Sequence, residues 1–426
     1  MKYFLHSLGC KVNSYELSAI GTELSSHGYS PCENAQDADV IIINTCSVTG
    51  RADQKSRQHI SSYRKGNPNA IIVVMGCYSQ KHGEEAESLG ANLVFGSADR
   101  SKIYEAIETF LKTKINCIDI KSNVRKETYE ELGFSAFCDN ARAYLKVQDG
   151  CNNFCSYCLI PFLRGNSRSR DPRMVIDEAK KLVSNGYKEI VITGIHIGAY
   201  GLDLGDGSFR LPQLIESILV ACPSLPRIRI SSIEESEIQD DFLDLLARYP
   251  QVVDHLHIPL QSGSATVLQR MKRKYDTASF LSKLVAIRRI RPQIAITTDV
   301  IAGFPQENDE EWQETMNFCR QADFAEIHVF PFSSRPGTLA HALPDVDPKI
   351  KKARVHQLLD LSRELRENYK KRFFNQDLPV LFEEFDPKSG YAYGHTSNYL
   401  LVKIKSEKPL HGKMLLVTYN NETASD

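Results

Sequence analysis

Three closely spaced cysteines are the residues best suited to chemistry in this sequence. Cys151, Cys155 and Cys158 form a CxxxCxxC pattern that directly follows a strand-like segment and an Asp-Gly turn. Three thiolates this close together can hold three irons of a 4Fe–4S cluster and leave the fourth iron without a protein ligand. A zinc site and a redox cysteine pair are the alternatives, but zinc usually takes four ligands and the next histidine is His196. The spacing therefore favours an iron–sulfur cluster.

Cys10, Cys46 and Cys77 lie far apart in the chain but share one position, directly after a predicted strand. The carboxyl ends of parallel strands meet at one edge of a sheet, so we expect these three thiols to converge. A glycine precedes Cys10 and Cys77 and allows a sharp turn there. The alternative is three buried structural cysteines, since free cysteine is often a core residue. The shared position favours a second metal site.

The elements that must position these cysteines are strands alternating with helices. In the first third, four short apolar segments predict strands, and the one that is continuous in Val and Ile, Asp39–Asn44, should be buried on both faces. These strands are Tyr3–Leu8, Asp39–Asn44, Ala70–Met75 and Asn92–Phe95. Helix-like segments separate them, which predicts a parallel sheet with helices on both faces.

Composition places the chain among globular proteins of two or three domains. It has 426 residues, of which 42% are apolar and 25% charged, with a formal charge of −1. No apolar run approaches the roughly 18 residues of a membrane helix, and the first residues do not resemble a secretory signal. We therefore expect a cytoplasmic protein that does not bind membranes. Eleven cysteines in such a chain argue for metal or redox chemistry rather than a disulfide framework.

The CxxxCxxC segment resembles the cysteine loop of radical S-adenosylmethionine (SAM) enzymes. The loop of that family has an aromatic residue before its third cysteine, which matches Tyr157. The resemblance implies a six-stranded partial (β/α)6 barrel with its active site at the carboxyl ends of the strands. Six strand-like segments fit it: Ala143–Gln148, Glu189–Thr193, Arg227–Ser231, His255–Leu260, Ile294–Val300 and Glu326–Phe332.

Residues at the ends of those strands are the candidate SAM contacts. The resemblance implies that Tyr157, Gly194, Ser231, Gln261 and Asp299 bind the cofactor. Each of the strand-end residues could instead be a cap or turn residue. His255 and His257 face the same side of one strand, where filling the barrel is the simpler explanation than catalysis.

Both cysteine sets together resemble the radical SAM methylthiotransferases, over nearly the whole chain. The resemblance implies that Cys10, Cys46 and Cys77 hold an auxiliary 4Fe–4S cluster, and that Cys151, Cys155 and Cys158 hold the catalytic one. It also implies an α/β architecture of three domains. These are an N-terminal parallel α/β domain (1–113), a radical SAM core (137–367) and a small C-terminal TRAM-like β-barrel that binds RNA (370–426).

Within that family, the residues around Cys10 and after Cys158 look most like the bacterial tRNA threonylcarbamoyladenosine type. The resemblance implies methylthiolation of carbon 2 of N6-threonylcarbamoyladenosine at position 37 of tRNA, with two SAM molecules and the auxiliary cluster. A one-electron donor such as flavodoxin or ferredoxin and a monomeric state are also implied. The alternatives are methylthiolation of isopentenyladenosine in tRNA or of a ribosomal protein, and a non-catalytic iron–sulfur protein that binds RNA.

Local basic patches are the candidate RNA contacts, because the chain as a whole is not basic. Residues 349–373 read as a helix with nine Lys or Arg against three acids, ahead of four strand-like segments. Five cations from this helix and from a basic stretch after the cysteine loop are predicted to contact RNA: Arg164, Arg168, Lys370, Lys371 and Arg372. The alternative is a solvated charged face. The remaining cysteines are predicted to be structural: Cys32, Cys117, Cys138, Cys222 and Cys319.

Overall fold

The computed structural model describes residues 1–134 and 141–425, and the chain forms two compact units. The first unit combines residues 1–134 with Lys146–Arg170 and Ser333–His341. The second contains residues 141–145, Asp171–Phe332 and residues 342–425. The CxxxCxxC loop therefore belongs to the same unit as the N-terminal cysteines. The predicted domain limits at 113, 367 and 370 stay predictions, and residue 137 lies outside the described residues.

A six-stranded sheet forms the centre of the first unit, and every strand pair in it is parallel. Its strands, in spatial order, are Ser30–Pro31, Lys2–Ser7, Val40–Thr45, Ile71–Gly76, Leu93–Phe95 and Cys117–Asp119. The helices of this unit are Lys11–Ser26, Gly50–Gly66, Cys77–Lys81, Gly83–Ser88, Ile103–Thr113 and Ile160–Leu163. The four predicted strands are found, and the two short edge strands Ser30–Pro31 and Cys117–Asp119 are additional.

Both faces of this sheet are covered, as the continuous apolar strands predict. Every residue of Val40–Thr45 and Ile71–Gly76 is buried. Alternate residues of these strands pack with different helices. Val40 and Ile42 contact the cluster that holds Leu17 and Leu24, whereas Ile41 and Ile43 belong to the opposite cluster with Ile60.

Six strands and the helices between them form the barrel of the second unit. One three-stranded sheet contains Arg142–Lys146, Glu189–Thr193 and Arg227–Ile230, and the other contains His255–His257, Ala295–Ala302 and Glu326–Pro331. A parallel bridge between Ile228 and Val252 connects the two sheets. The helices of the barrel are Pro172–Ser184, Leu211–Ala221, Asp240–Arg248, Ala265–Arg270, Thr277–Ile290, Asp309–Ala322 and Pro348–Lys371. The predicted fold class is confirmed.

A four-stranded antiparallel sheet follows the last helix. Its spatial order is Leu401–Lys405, Tyr391–Thr396, Gln376–Asp386 and Met414–Tyr419. After the last strand the chain turns back, and Lys403 N donates to Thr423 O at 2.8 Å, so residues near 424 pair with the opposite edge. The sheet is thereby curled into a half-barrel around Phe382, Val402 and Tyr419. No helix in the described part of the chain is long and apolar enough to cross a membrane.

The cysteines outside the two sets differ in their surroundings. Cys222 and Cys319 are buried, as the structural prediction requires. Cys32 is half-buried. Cys117 is exposed on an edge strand, so Cys117 does not have the buried position expected of a structural cysteine. All described cysteines are free thiols, and Cys138 lies outside the described residues.

Candidate metal centre

Cys10, Cys46 and Cys77 come together at one edge of the N-terminal sheet. The register pairs Ser7 with Asn44 and Thr45 with Gly76, so the strands end side by side. Cys10 lies close enough to act electrostatically on Cys46 and Cys77, and Cys46 acts in the same way on Cys77. Burial raises the pKa of Cys46, and it raises the pKa of Cys77 to about 12. Thiols in this environment need nearby positive charge to become the thiolates that bind metal.

Gly9 and Gly76 are required for this convergence. Both have positive φ angles, +98° and +107°. A Cβ at Gly9 would lie 2.8 Å from Cys46 Cβ, and one at Gly76 would lie 2.5 Å from Thr45 O. Glycine alone therefore permits the chain to turn here and bring the cysteines together.

The CxxxCxxC loop is held in a tight turn between two short strands, Gln148–Asp149 and Arg168–Ser169. Gly150 has φ +70°, and a Cβ on it would lie 1.9 Å from Asn166 O. Backbone N–H groups point at two of the sulfurs, since Asn153 N lies 3.4 Å from Cys151 Sγ and Ile160 N lies 3.4 Å from Cys158 Sγ. Such N–H donors stabilise thiolate ligands and tune the cluster they bind, so the loop fits an iron–sulfur cluster. Tyr157 is half-buried within it.

The two cysteine sets pack against each other through the short helix Ile160–Leu163. Cys77 shares a small apolar cluster with Leu159 and Leu163. Ser97, after the fifth strand of the sheet, donates a hydrogen bond to Leu163 O. Among residues 1–134 and 141–425, no three cysteine thiols lie within 4.8 Å of one another, which disfavours one zinc ion shared by three of them. In a 4Fe–4S cluster each thiolate binds a different iron, so its ligands stand further apart.

Beneath the two sets lies a group of buried charges, which we term the ionic cluster. Its members are Glu16, Arg100, Lys146, Asp149, Arg164 and Arg168. Lys146 Nζ lies 2.7 Å from both Glu16 and Asp149, and Arg164 Nη1 lies 2.9 Å from Glu16 and 3.0 Å from Asp149. Burial alone would raise the pKa of both carboxyls, but the surrounding cations hold each pKa well below its usual range. Both acids are therefore ionised.

One further segment of the cysteine unit has no counterpart in the sequence-based prediction. In Ser333–His341, Ala340 N donates to Ser156 O of the cysteine loop at 2.7 Å. Arg335, in the same segment, pairs with Asp53 and with Ser47 Oγ, just after Cys46. The segment thus contacts both cysteine sets. Sequence could not reveal this, because the partners are separated by nearly two hundred residues or more.

In the second unit, Gly194 and Ser231 directly follow adjacent strands and Gln261 lies four residues after the strand His255–His257, whereas Asp299 lies within the strand Ala295–Ala302 and not at its end. Gly194 follows the second barrel strand, and Ser231 N donates to Ile192 O at 3.0 Å. Ser231 Oγ is buried and has no hydrogen-bond partner in the structure, which leaves it available to a ligand. Gln261 has φ +67°, in the left-handed region that is costly for a residue with a side chain, and its N donates to Asp299 O at 2.8 Å. Their assignment to SAM stays a prediction.

Asp299 is accompanied by two histidines on the same face of the barrel strands. His257 Nε2 lies 3.3 Å from Asp299 Oδ1, and Thr297 Oγ1 lies 2.9 Å from His257 Nδ1. His328 stands beside Asp299 in register, and one ligand atom from each of the three residues lies within 4.8 Å of the other two. His328 was missed by sequence reasoning, although its register with Asp299 follows from aligning the two parallel strands.

The structure corrects the predicted RNA contacts of the basic stretch. Arg164 and Arg168 are buried in the ionic cluster, and Lys370 is also buried, with Nζ 2.9 Å from Glu367. Arg372 is half-exposed, but its Nη2 donates to both oxygens of Asp323 at 2.7 Å. A buried and paired cation has no face to offer a phosphate, so Arg164 and Arg168 are not RNA contacts. All five predicted RNA contacts lie within the described residues, and of these five only Lys371 is exposed without an ion pair.

Other cations line a groove of about 970 Å³ between the last barrel strand, helix Pro348–Lys371 and the C-terminal sheet. Arg363, Arg366 and Lys403 lie along it, with Phe330 and Phe374. Lys403 and Lys405 flank the ring of Tyr391 at 5.7 Å and 4.5 Å. Basic side chains interleaved with aromatic rings are typical of surfaces that bind single-stranded nucleic acid.

Family comparisons match two successive parts of the chain. Residues 2–96 match an uncharacterized protein family, UPF0004, and residues 145–319 match the radical SAM superfamily. A solved radical SAM methyltransferase, TsrM from Kitasatospora setae, is similar over 80% of this chain and 77% of its own, with a TM-score of 0.58 and 14% sequence identity. At that identity the likeness concerns the fold alone.

Several curated relatives cover almost the whole chain. The threonylcarbamoyladenosine tRNA methylthiotransferase MtaB of Bacillus subtilis is 43% identical over 97% of this chain and 92% of its own. Its namesake from Thermotoga maritima is 36% identical over 93% and 89%. A tRNA-2-methylthio-N(6)-dimethylallyladenosine synthase of Bacillus licheniformis is 31% identical over 98% and 83%.

Proposed function

The chain belongs to the radical SAM methylthiotransferase family, and on that premise we propose that it methylthiolates carbon 2 of N6-threonylcarbamoyladenosine at position 37 of tRNA. The observation that supports this most is the meeting of two three-cysteine sets in one compact unit. A single cluster would suffice for SAM cleavage alone, whereas sulfur insertion calls for a second sulfur-bearing centre. The similarity to enzymes named MtaB favours the threonylcarbamoyl substrate.

In this proposal Cys151, Cys155 and Cys158 hold the 4Fe–4S cluster typical of radical SAM enzymes, and Cys10, Cys46 and Cys77 hold a second one. When bound, the first cluster and SAM supply a 5′-deoxyadenosyl radical able to attack an unactivated aromatic C–H bond. The N–H groups of Asn153 and Ile160 donate to the sulfurs of Cys151 and Cys158. Cys77 is buried at the end of its strand, Cys46 is half-buried and Cys10 is exposed, so the three thiols differ in their access to water.

The proposed SAM contacts in the barrel are Gly194 and Ser231 directly after strands, Gln261 in the loop after the strand His255–His257, and Asp299 within the strand Ala295–Ala302. The unpartnered hydroxyl of Ser231 supports this role, because a buried polar atom usually has a partner. The left-handed backbone at Gln261 also supports it, because strain of this kind concentrates at functional sites.

The tRNA partner is supported by the groove beside helix Pro348–Lys371. Arg366 and Lys403 line the groove, and Arg363 beside them stays largely exposed although its Nη1 lies 3.3 Å from Asp360, so all three can meet phosphates. Tyr391 between two lysines offers a ring for base stacking, and Lys371 is exposed at the end of the helix. A cytoplasmic monomer that receives one electron at a time from a flavodoxin or ferredoxin is the remaining part of the proposal.

Mass spectrometry of tRNA nucleosides from cells lacking this protein tests the substrate. We expect the methylthio derivative of threonylcarbamoyladenosine to disappear and to return when the gene is restored. The control is the same strain complemented with a Cys10→Ala variant, which should not restore it. Loss of the methylthio group from isopentenyladenosine instead would assign the chain to the other tRNA substrate and contradict the proposal.

A further inference from the structure

The ionic cluster contains more positive than negative charge. Four cations, Arg100, Lys146, Arg164 and Arg168, surround two carboxylates, and all six side chains are almost completely buried. Glu130, at the edge of the cluster, pairs with Arg100 and offsets one more charge. Each cation pairs with at least one carboxylate, but the four cations face only three carboxylates, so the group keeps one excess positive charge. Buried charge without compensation is strongly unfavourable, so another anion is expected nearby.

Arg164 is the member of the cluster that faces the cysteines. Its Nη2 donates to Asn13 Oδ1 at 2.8 Å, and Cys10 Sγ lies 3.6 Å from the same oxygen. Its guanidinium also acts electrostatically on Cys77 and Cys46, which lowers the pKa of each thiol against the effect of burial. The Nε of Arg164 is buried and has no partner in the structure. An arginine this deeply buried with a spare donor indicates that a negative group belongs beside it.

Arg164 also connects this site to the other cysteine set. It directly follows the helix that packs on Cys77, six residues after Cys158. Its Nη1 pairs with Asp149, two residues before Cys151. One side chain therefore contacts the surroundings of both cysteine sets, although it is itself neither a metal ligand nor exposed to substrate.

We propose that Arg164 is a positioning residue whose charge compensates the negative charge of the cluster held by Cys10, Cys46 and Cys77 and raises its reduction potential. This rests on the proposed function, in which those cysteines hold a 4Fe–4S cluster. Three thiolates give such a cluster a net negative charge, which grows on reduction. A fixed positive charge close by favours the reduced form, so the cluster with Arg164 is easier to reduce than one without it.

The test uses full-length protein in which the first cluster, that of the CxxxCxxC loop, is removed by replacing Cys151, Cys155 and Cys158 with alanine. After anaerobic reconstitution, EPR-monitored redox titration gives the midpoint potential of the remaining cluster. We expect Arg164→Gln to lower this potential and Glu16→Gln to raise it, because the two variants change the local charge in opposite directions. Arg164→Lys, which keeps the charge, should stay near the parent value.

A matched control is Arg170→Gln, which removes a buried, paired cation of the same unit whose partner is Glu131. It should shift the potential less than Arg164→Gln. Loss of the cluster in Arg164→Gln with its recovery in Arg164→Lys would also support compensation by charge. Shifts in the same direction for Arg164→Gln and Glu16→Gln, or no shift in Glu16→Gln with four irons retained, would overturn the inference. Absence of iron from the background protein would instead overturn the cluster assignment, and the inference with it.

Discussion

Replacement of Gly150 by alanine should dismantle the CxxxCxxC loop while leaving the N-terminal sheet folded. Gly150 has φ +70°, and its Cβ would lie 1.9 Å from the carbonyl oxygen of Asn166. An ordinary contact needs 3.4 Å or more, so the turn at residues 165–167 must move by about 1.5 Å. That turn accepts the hydrogen bond from Cys151 N at Gly165 O. Movement of the turn therefore displaces the first cysteine of the loop.

The cost has two parts that can be separated. A left-handed conformation costs a residue with a side chain roughly 1–2 kcal/mol. Forcing an extra methyl group into a packed site adds about 1–3 kcal/mol. Gly28→Ala is the matched control, because Gly28 has φ +84° in the same unit and a Cβ there meets nothing within 4 Å. Only the first part applies to the control.

We expect Gly150→Ala to be less stable than Gly28→Ala by about 1–3 kcal/mol, which for a unit of this size lowers Tm by about 2–12 °C. Iron analysis of reconstituted protein should find about four irons instead of about eight, with no formation of 5′-deoxyadenosine. Calorimetry and iron determination on both variants provide the measurements. If Gly150→Ala matches Gly28→Ala in Tm and in iron content, the steric reasoning is wrong.

Three other expectations follow from the same structure. Alanine at any one of Cys10, Cys46 and Cys77 should abolish sulfur insertion but leave some 5′-deoxyadenosine formation. Chromatography of anaerobic reactions measures both products, and unchanged conversion of tRNA would contradict the assignment of a cluster to these three cysteines. Arg363→Gln with Arg366→Gln should reduce the slope of log affinity for tRNA against log salt by about 1.4–1.8, since each phosphate contact contributes roughly 0.7–0.9. The control replaces Lys349 and Lys352, which are exposed at the other end of the helix, with glutamine and should change this slope less. Equal changes of slope in the two double variants would exclude the groove as the tRNA-binding surface. Burial, and the nearby His59, lower the pKa of His6 to about 4, so the unfolded chain takes up a proton near pH 6.5 before the folded one does. Stability should therefore fall between pH 6.5 and 4, and less steeply in His6→Phe; thermal melts at several pH values that show equal slopes would refute this.

Sequence patterns predicted the elements whose apolar residues repeat with a regular period. The Val and Ile run of Val40–Thr45 reads directly as a doubly buried strand, Ile71–Gly76 reads as a strand, and the cysteines after them follow from the geometry of parallel sheets. The CxxxCxxC spacing is local, so it needed no tertiary information. These features depend on neighbours within a few residues of one another.

Features that depend on distant partners were not predictable. Arg164 read as part of a basic rim because its partner Glu16 lies almost 150 residues away. Arg372 likewise read as a free cation, yet its partner Asp323 lies 49 residues away, and the burial of Lys370 depends on tertiary packing. Charge in a sequence shows which residues can attract phosphate, but only the fold shows which of them are already neutralised.

The most direct test of the proposed function is an anaerobic reaction of the reconstituted protein with SAM, a reductant and tRNA carrying one defined nucleoside at position 37. Parallel reactions use threonylcarbamoyladenosine, isopentenyladenosine and unmodified adenosine at that position, and mass spectrometry of the digested tRNA identifies the product. We predict a methylthio product from the threonylcarbamoyladenosine substrate, little or none from the other two, and none from protein lacking either cysteine set. A methylthio product formed chiefly from isopentenyladenosine, or formed by protein without Cys10, Cys46 and Cys77, would contradict the account.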